Sequence, residues 1–150
     1  MHMTPQQFKL LARALLDAHG LHDWTFKFDS HKITFGRCWW HRKLVTISKP
    51  MALLNSDTDV VDTLLHEIAH ALTPMDRCHG IAWQAKCVEI GAKPERFYCA
   101  EKIEQPKGRW VATCPRCKRE FRRFRRVKGR RYCMHCGIDN GALTFTKEER

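Results

Sequence analysis

Apolar residues near the start of the chain recur at helical spacing. Phe8, Leu11, Ala12, Leu15 and Leu16 fall at three- and four-residue intervals, a stripe that predicts an amphipathic helix. Thr4 is placed to cap it, Pro5 suits the first helical position, and Gln7 can reach back to the cap. Gly20 marks its end. Three short segments follow, WTFKFD, KITFGRCWW and KLVTIS, rich in aromatic and β-branched residues and parted by polar or basic turns. They predict a small antiparallel sheet. Pro50 closes the third segment, and Asn55, Ser56 and Asp57 offer caps for a second helix that runs to Leu72, before Pro74. A third helix is predicted from Ile81 to Ile90, with Gly91 just past its end. The pattern is that of an α+β fold.

The second helix contains HEIAH, residues 66–70. At about 100° per residue, His70 lies about 40° from His66, while Val61, Leu64 and Ile68 fall on the opposite side. Two imidazoles one turn apart, away from the core side, can bind one zinc ion. Glu67 between them has the reach of a water polarised by that metal and can act as general base. Catalytic zinc usually takes three protein ligands and keeps a position open, so a third ligand is needed. Three residues offer one: His79 beyond the break at Pro74, Glu89 on the following helix, and the softer Cys78. A metzincin arrangement is excluded, because the positions it needs hold Thr73 and Asp76. Asp59 and Asp62 share the histidine side, where first-turn acids complement the helix dipole.

HEIAHAL, then CHGIAW with its His-Gly-x-x-Trp pattern, then IGAKPERFY, resemble the SprT-like family of zinc metalloproteases over Thr4 through Tyr98. The resemblance implies zinc held by His66, His70 and His79, with Glu67 as the catalytic base. It also implies a role at DNA, since family members digest proteins trapped on DNA. Which group steadies the oxyanion is not readable; Arg77 and Tyr98 are candidates, better explained as a loop charge and a packed ring.

A second constellation is CPRC, Cys114 to Cys117, and CMHC, Cys133 to Cys136, with fifteen residues between the pairs. Cys114, Cys117, Cys133 and Cys136 match a four-cysteine structural zinc ribbon, so two Zn2+ ions per chain are expected, one catalytic and one structural. Gly137 suits the turn after the second pair; Lys118 stands in the corresponding place after the first. Cys38, Cys78, Cys87 and Cys99 have no paired spacing and read as buried thiols.

Charge then divides the chain. Lys107 to Arg131 holds twelve Lys or Arg against one acid, Glu120, which equals the net charge of +11 for all 150 residues. A neutral metalloprotease domain at 1–105 and a basic zinc ribbon at 106–150 follow. Arg119, Arg122, Arg123, Arg125, Arg126, Lys128, Arg130 and Arg131 are the expected nucleic-acid contacts, since clustered arginines repel one another without a polyanion. Phe121, Phe124 and Tyr132 interrupt that run and read as the small core of the ribbon. DNA, single-stranded or duplex, and DNA-bound proteins are the expected partners. No apolar run is long enough for a membrane span, and no signal-peptide stretch opens the chain, which points to a cytoplasmic, nucleoid-associated or nuclear protein rather than a membrane or secreted one. Two other readings use the same residues. One is a non-proteolytic, zinc-dependent nucleic-acid-binding regulator, which would not need Glu67; the other is a peptidase dedicated to one regulatory protein, which would cleave its target without DNA.

Overall fold

Helix α1 (Pro5–Ala18) starts as its sequence dictates in the computed structural model, which describes residues 2–76, 78–95 and 103–149. The Gln7 backbone N–H donates to Thr4 Oγ1 at 3.2 Å and the Thr4 N–H to Gln7 Oε1 at 2.8 Å, a reciprocal capping box. Phe8, Ala12 and Leu16 are its buried face. Strands β1 (Thr25–Asp29), β2 (Gly36–Trp39) and β3 (Leu44–Ser48) form one sheet in the order β1-β3-β2.

That sheet is mixed, which corrects the expectation of an antiparallel one. β3 runs antiparallel to β2 but parallel to β1, with Phe26 opposite Val45 and Phe28 opposite Ile47. The reason lies in the apolar content of β3: Leu44, Val45, Thr46, Ile47 and Ser48 are all buried, so this strand takes the centre, covered on both faces. β1 and β2 become the edges.

Pro50 ends β3 by opening a one-turn helix, α2 (Lys49–Ala52), capped by Ser48. Of three candidate caps for α3 (Asp57–Leu72), Ser56 is the one used; its Oγ accepts from Asp59 N at 3.2 Å. Asn55 instead binds both backbone groups of Glu104 at 2.8 Å, fastening residues 103–104 to the helical layer. Thr73 leaves helical geometry before Pro74, where the proline ring disfavours the α region. Helix α4 (Ile81–Ile90) ends at Gly91 in the left-handed region.

The core joins α1, the sheet and α3 through Phe8, Leu16, Val45, Ile47, Met51, Val60, Leu64 and Ile68. Each such side chain contributes about 1.5–3 kcal/mol on burial. A smaller cluster, Ala69, Trp83, Cys87 and Ala92, packs α4 onto the other side of α3. The helix is therefore covered on both sides, not one.

The chain divides into two compact units, Met1–Pro106 and Lys107–Arg150. In the second, β4 (Trp110–Thr113) lies between β5 (Glu120–Arg123) and β8 (Thr146–Lys147), while β6 (Arg131–Tyr132) pairs with β7 (Ala142–Leu143) beside the short helix α5 (Gly137–Asn140). No helix among the described residues is long and apolar enough to cross a membrane.

Candidate metal centres and catalytic cleft

Helix α3 presents His66 and His70 one turn apart, and the loop after Pro74 returns His79 to them. Nε2 of His79 lies 3.1 Å from Nε2 of His66 and 3.0 Å from Nε2 of His70. Nitrogens around one tetrahedral zinc ion stand about 3.3 Å apart. Burial lowers the pKa of His66 to about 3 and of His70 to about 4, so both are neutral ligands at ordinary pH. A zinc ion placed among the three rings would take the Nε2 lone pair of each. The three residues fit a zinc ion on chemistry as well as spacing. The other two candidates for third ligand are elsewhere: Glu89 pairs with Lys86 at 2.6 Å, and Cys78 is exposed and outside the cluster.

Three features hold the third histidine. His79 has φ 63°, a left-handed conformation that histidine tolerates better than most residues. Asp76 accepts from Gly80 N at 2.9 Å and from Trp83 N at 3.0 Å, closing the loop and capping α4. The backbone N–H groups of Trp83 and Gly80 hold its carboxyl below the usual range. A Cβ at Gly80 would lie 2.6 Å from Asp76 Oδ2, so the loop needs glycine there. Gln84 adds a bond to the His79 carbonyl at 3.2 Å. Asp76 escaped the sequence reading; its only signal was an acid seven residues before Trp83, ahead of a helix with no capping side chain of its own.

Trp83 explains the second half of the His-Gly-x-x-Trp pattern. Fully buried, it stacks on His70 at 5.2 Å and 25° and meets His66 and His79 edge-on at 4.6 and 4.5 Å. Trp40 approaches His70 from elsewhere and donates its indole N–H to the His70 carbonyl at 2.9 Å. Nδ1 of His70 is buried without a hydrogen-bond partner, so ring packing rather than a carboxylate orients this imidazole. Asp59 and Asp62 are engaged elsewhere: Asp59 accepts from the Ser56 hydroxyl that caps α3, and Asp62 accepts from Lys93 N.

Glu67 lies beneath β2, 6% exposed. Burial raises its pKa to about 8, against a smaller downward pull from the Arg37 guanidinium. Gly36 makes the approach possible, since a Cβ there would sit 2.7 Å from Glu67 Oε1. Arg37, Cys38, Trp39, Trp40, Glu67 and His70 line an open cleft of about 370 Å³. β2 was expected as a strand, but nothing in its spacing tied it to Glu67. Arg77, Tyr98 and Cys99 lie outside the described residues.

The second centre is in the Lys107–Arg150 unit. The sulfurs of Cys114, Cys117, Cys133 and Cys136 lie within 4.8 Å of one another, with Cys117 and Cys133 at 3.6 Å, close to the roughly 3.8 Å between thiolates on one zinc ion. Each pair forms the same turn. Lys118 N bonds Cys114 O at 3.0 Å, and Gly137 N bonds Cys133 O at 2.9 Å. Lys118 takes φ 60° and Gly137 φ 70°, so lysine does the work of glycine, its Nζ bonded to Pro115 O at 2.7 Å. The Cys117 backbone N–H lowers the Cys114 thiol to about 6, the direction a metal ligand needs. Of the remaining thiols, Cys87 is buried as expected, Cys38 is half-buried, and Cys78 is exposed, contrary to expectation, because its loop turns His79 inward instead.

Among the arginines expected at nucleic acid, Arg122 is engaged by carboxylates within its own unit. It binds Glu148 through two bonds of 2.7 and 3.1 Å and Glu120 at 2.6 Å. These carboxylates raise its pKa, and the side chain ties β5 to Glu148, just past β8. Arg119, Arg123, Arg125, Arg126, Lys128, Arg130 and Arg131 are exposed. Phe121 and Tyr132 are half-buried, and Phe124 is 37% exposed.

Comparison with known proteins gives one family: a model described as the SprT-like family matches residues 5–105. No curated protein and no solved structure matches the chain.

Proposed function

From the premise that the chain belongs to the SprT-like family, which is associated with metallopeptidase-like proteins, we propose that it is a zinc-dependent endopeptidase digesting proteins bound or crosslinked to DNA. One observation carries the reading. Nε2 of His79 lies within 3.1 Å of Nε2 of both His66 and His70, beside a buried carboxyl, Glu67, that lines an open cleft.

His66, His70 and His79 would hold the zinc ion, which when bound supplies Lewis acidity toward water and the scissile carbonyl. Glu67 is the general base. It takes a proton from the attacking water, and the same carboxyl returns it to the leaving amine nitrogen. Trp83 and Trp40 wall the imidazoles and exclude solvent. β2 is an edge strand whose Arg37, Cys38 and Trp39 line the cleft; its free backbone groups suit an extended substrate segment, added as a further strand.

The four-cysteine unit is proposed to hold structural zinc and to bring the peptidase to DNA through Arg119, Arg123, Arg125, Arg126, Lys128, Arg130 and Arg131. What supports this is exposed positive charge without matching acids, which favours phosphate over any neutral partner.

The test is cleavage of a protein crosslinked to single-stranded or duplex DNA, followed on a gel. Zinc-loaded wild type is expected to cleave it and Glu67→Gln to leave it intact while retaining both metals. Equal cleavage by Glu67→Gln, or none by either, sinks the enzymatic reading.

A further inference from the structure

The cleft and the surface beside it carry charge that the proposed peptidase chemistry does not use: Arg37 lines the cleft, and Arg42 reaches the same Trp39 ring from outside that lining. Arg37 and Arg42 each place a guanidinium over the ring of Trp39, at 5.8 and 5.9 Å from its centroid. Among the described residues, neither arginine has a carboxylate within salt-bridge distance; the polar neighbour of Arg37 is His31 Nδ1, at 3.3 Å. Lys43, in contrast, is paired with Asp23. Two cations on one ring repel each other, and although the Glu67 carboxyl lies within electrostatic reach of Arg37, neither guanidinium is ion-paired among the described residues, which leaves room for an anion. Trp39 is 38% exposed and lines the open cleft, so a ligand can reach it.

Strand geometry fixes where such a ligand would come from. Arg37 and Trp39 are alternate residues of β2 and share one face of the sheet, while Gly36 and Cys38 share the other, where Gly36 abuts Glu67. β3 occupies one edge of β2, with Arg37 opposite Thr46 and Trp39 opposite Leu44. A segment added to the free edge alternates in the same way. Its backbone passes along the cleft, one set of side chains faces Glu67, and the other set lies beside Arg37 and Trp39. Opposite charges at such cross-strand positions attract, and like charges repel.

We propose that Arg37, Trp39 and Arg42 form a specificity subsite that accepts an acidic side chain of the substrate near the scissile bond and rejects lysine and arginine. This rests on the peptidase reading. It gives the active site a preference opposite to that of the four-cysteine unit's partner: the unit seeks polyanion, whereas the cleft spares the Lys- and Arg-rich segments that grip DNA and cuts acid-bearing segments of the same proteins.

The experiment uses the zinc-loaded full chain and paired fluorogenic peptides that differ only in Glu or Lys at each position flanking the scissile bond. Wild type is expected to favour Glu over Lys by about tenfold in kcat/KM at one of those positions. Arg37→Glu with Arg42→Glu should invert the ratio, and the milder Arg37→Gln with Arg42→Gln should bring it near unity. A ratio unchanged in both active double variants overturns the proposal. A second arm measures binding of the same peptides to Glu67→Gln by fluorescence polarisation. If nothing is cleaved but Glu67→Gln still prefers the Glu peptide through Arg37 and Arg42, the subsite stands and the peptidase reading falls. If the double variants lose affinity for single-stranded DNA while peptide preference is unchanged, the patch is a nucleic-acid surface and the proposal is wrong.

Discussion

Gly36 has no side chain, and the Glu67 carboxyl occupies the room. A Cβ at position 36 would come within 2.7 Å of Glu67 Oε1 and 2.8 Å of Thr63 Cγ2. Gly36→Ala is therefore expected to displace the base without touching the histidines: cleavage falls about a hundredfold, as misplacements of about 1 Å do, while zinc content stays at the wild-type value. Loss of zinc along with activity would show instead that the whole site has collapsed. Burial also sets a pH dependence at this residue. Glu67 is raised from 4.5 to about 8, and His66 is lowered from 6.5 to about 3. In the metal-free protein between pH 6.5 and 8, the folded state retains a proton on Glu67 that the unfolded chain has released, so stability falls as pH rises. Below 6.5 the unfolded chain takes up protons at His66 and His70 that the folded state refuses, so stability falls as pH drops. Glu67→Gln removes only the first effect. Urea titrations of chelated protein should show the variant gaining on wild type from pH 6.5 to 8, by up to about 1.4 kcal/mol per pH unit.

At the scale of elements, the loop between α3 and α4 decides the metal site. Asp76 binds two backbone N–H groups at the start of α4 and thereby sets both ends of the contact, His79 in the loop and Trp83 one turn into the helix. Asp76→Ala is expected to weaken zinc binding at the histidines by about 10–100-fold, the usual effect of removing a group that orients a ligand, while the cysteine site keeps its metal. Competition with a chromophoric chelator reads the two sites separately, and equal weakening of both would refute the assignment. The helices themselves were legible in the sequence, because caps and 3.6-residue periodicity act within a few positions: the Thr4–Gln7 box, Ser56 and Gly91 all stand where the pattern puts them. The sheet was legible only as three strands. Their order was not, since it depends on which strand gains most from burial on both faces, and β3 wins with all five residues buried.

For the whole molecule, the proposed function divides labour between two units of different charge. If the cysteine unit binds DNA as proposed, its exposed arginines should make that binding steeply salt-dependent. With about six phosphate contacts, affinity falls about a thousandfold between 50 and 200 mM salt. Arg125→Ala should lower that slope by about one contact. Arg122→Ala should leave the slope unchanged and instead loosen the unit, because Arg122 is held by Glu148 and Glu120; a measured loss of slope at Arg122 would place it at the phosphates after all. The sequence by itself determined the α+β class, the helix that carries HEIAH, the two C-x2-C pairs and the segregation of charge. All are short-range patterns or sums, which need no knowledge of which distant residues meet. Only the tertiary structure decided that His79 rather than Glu89 joins His66 and His70, that β1 lies parallel to β3, that Gly36 makes room for Glu67, and that Arg37 and Arg42 share Trp39. Most of these join residues far apart in the chain, and all turn on packing in space, on which spacing along the sequence is silent.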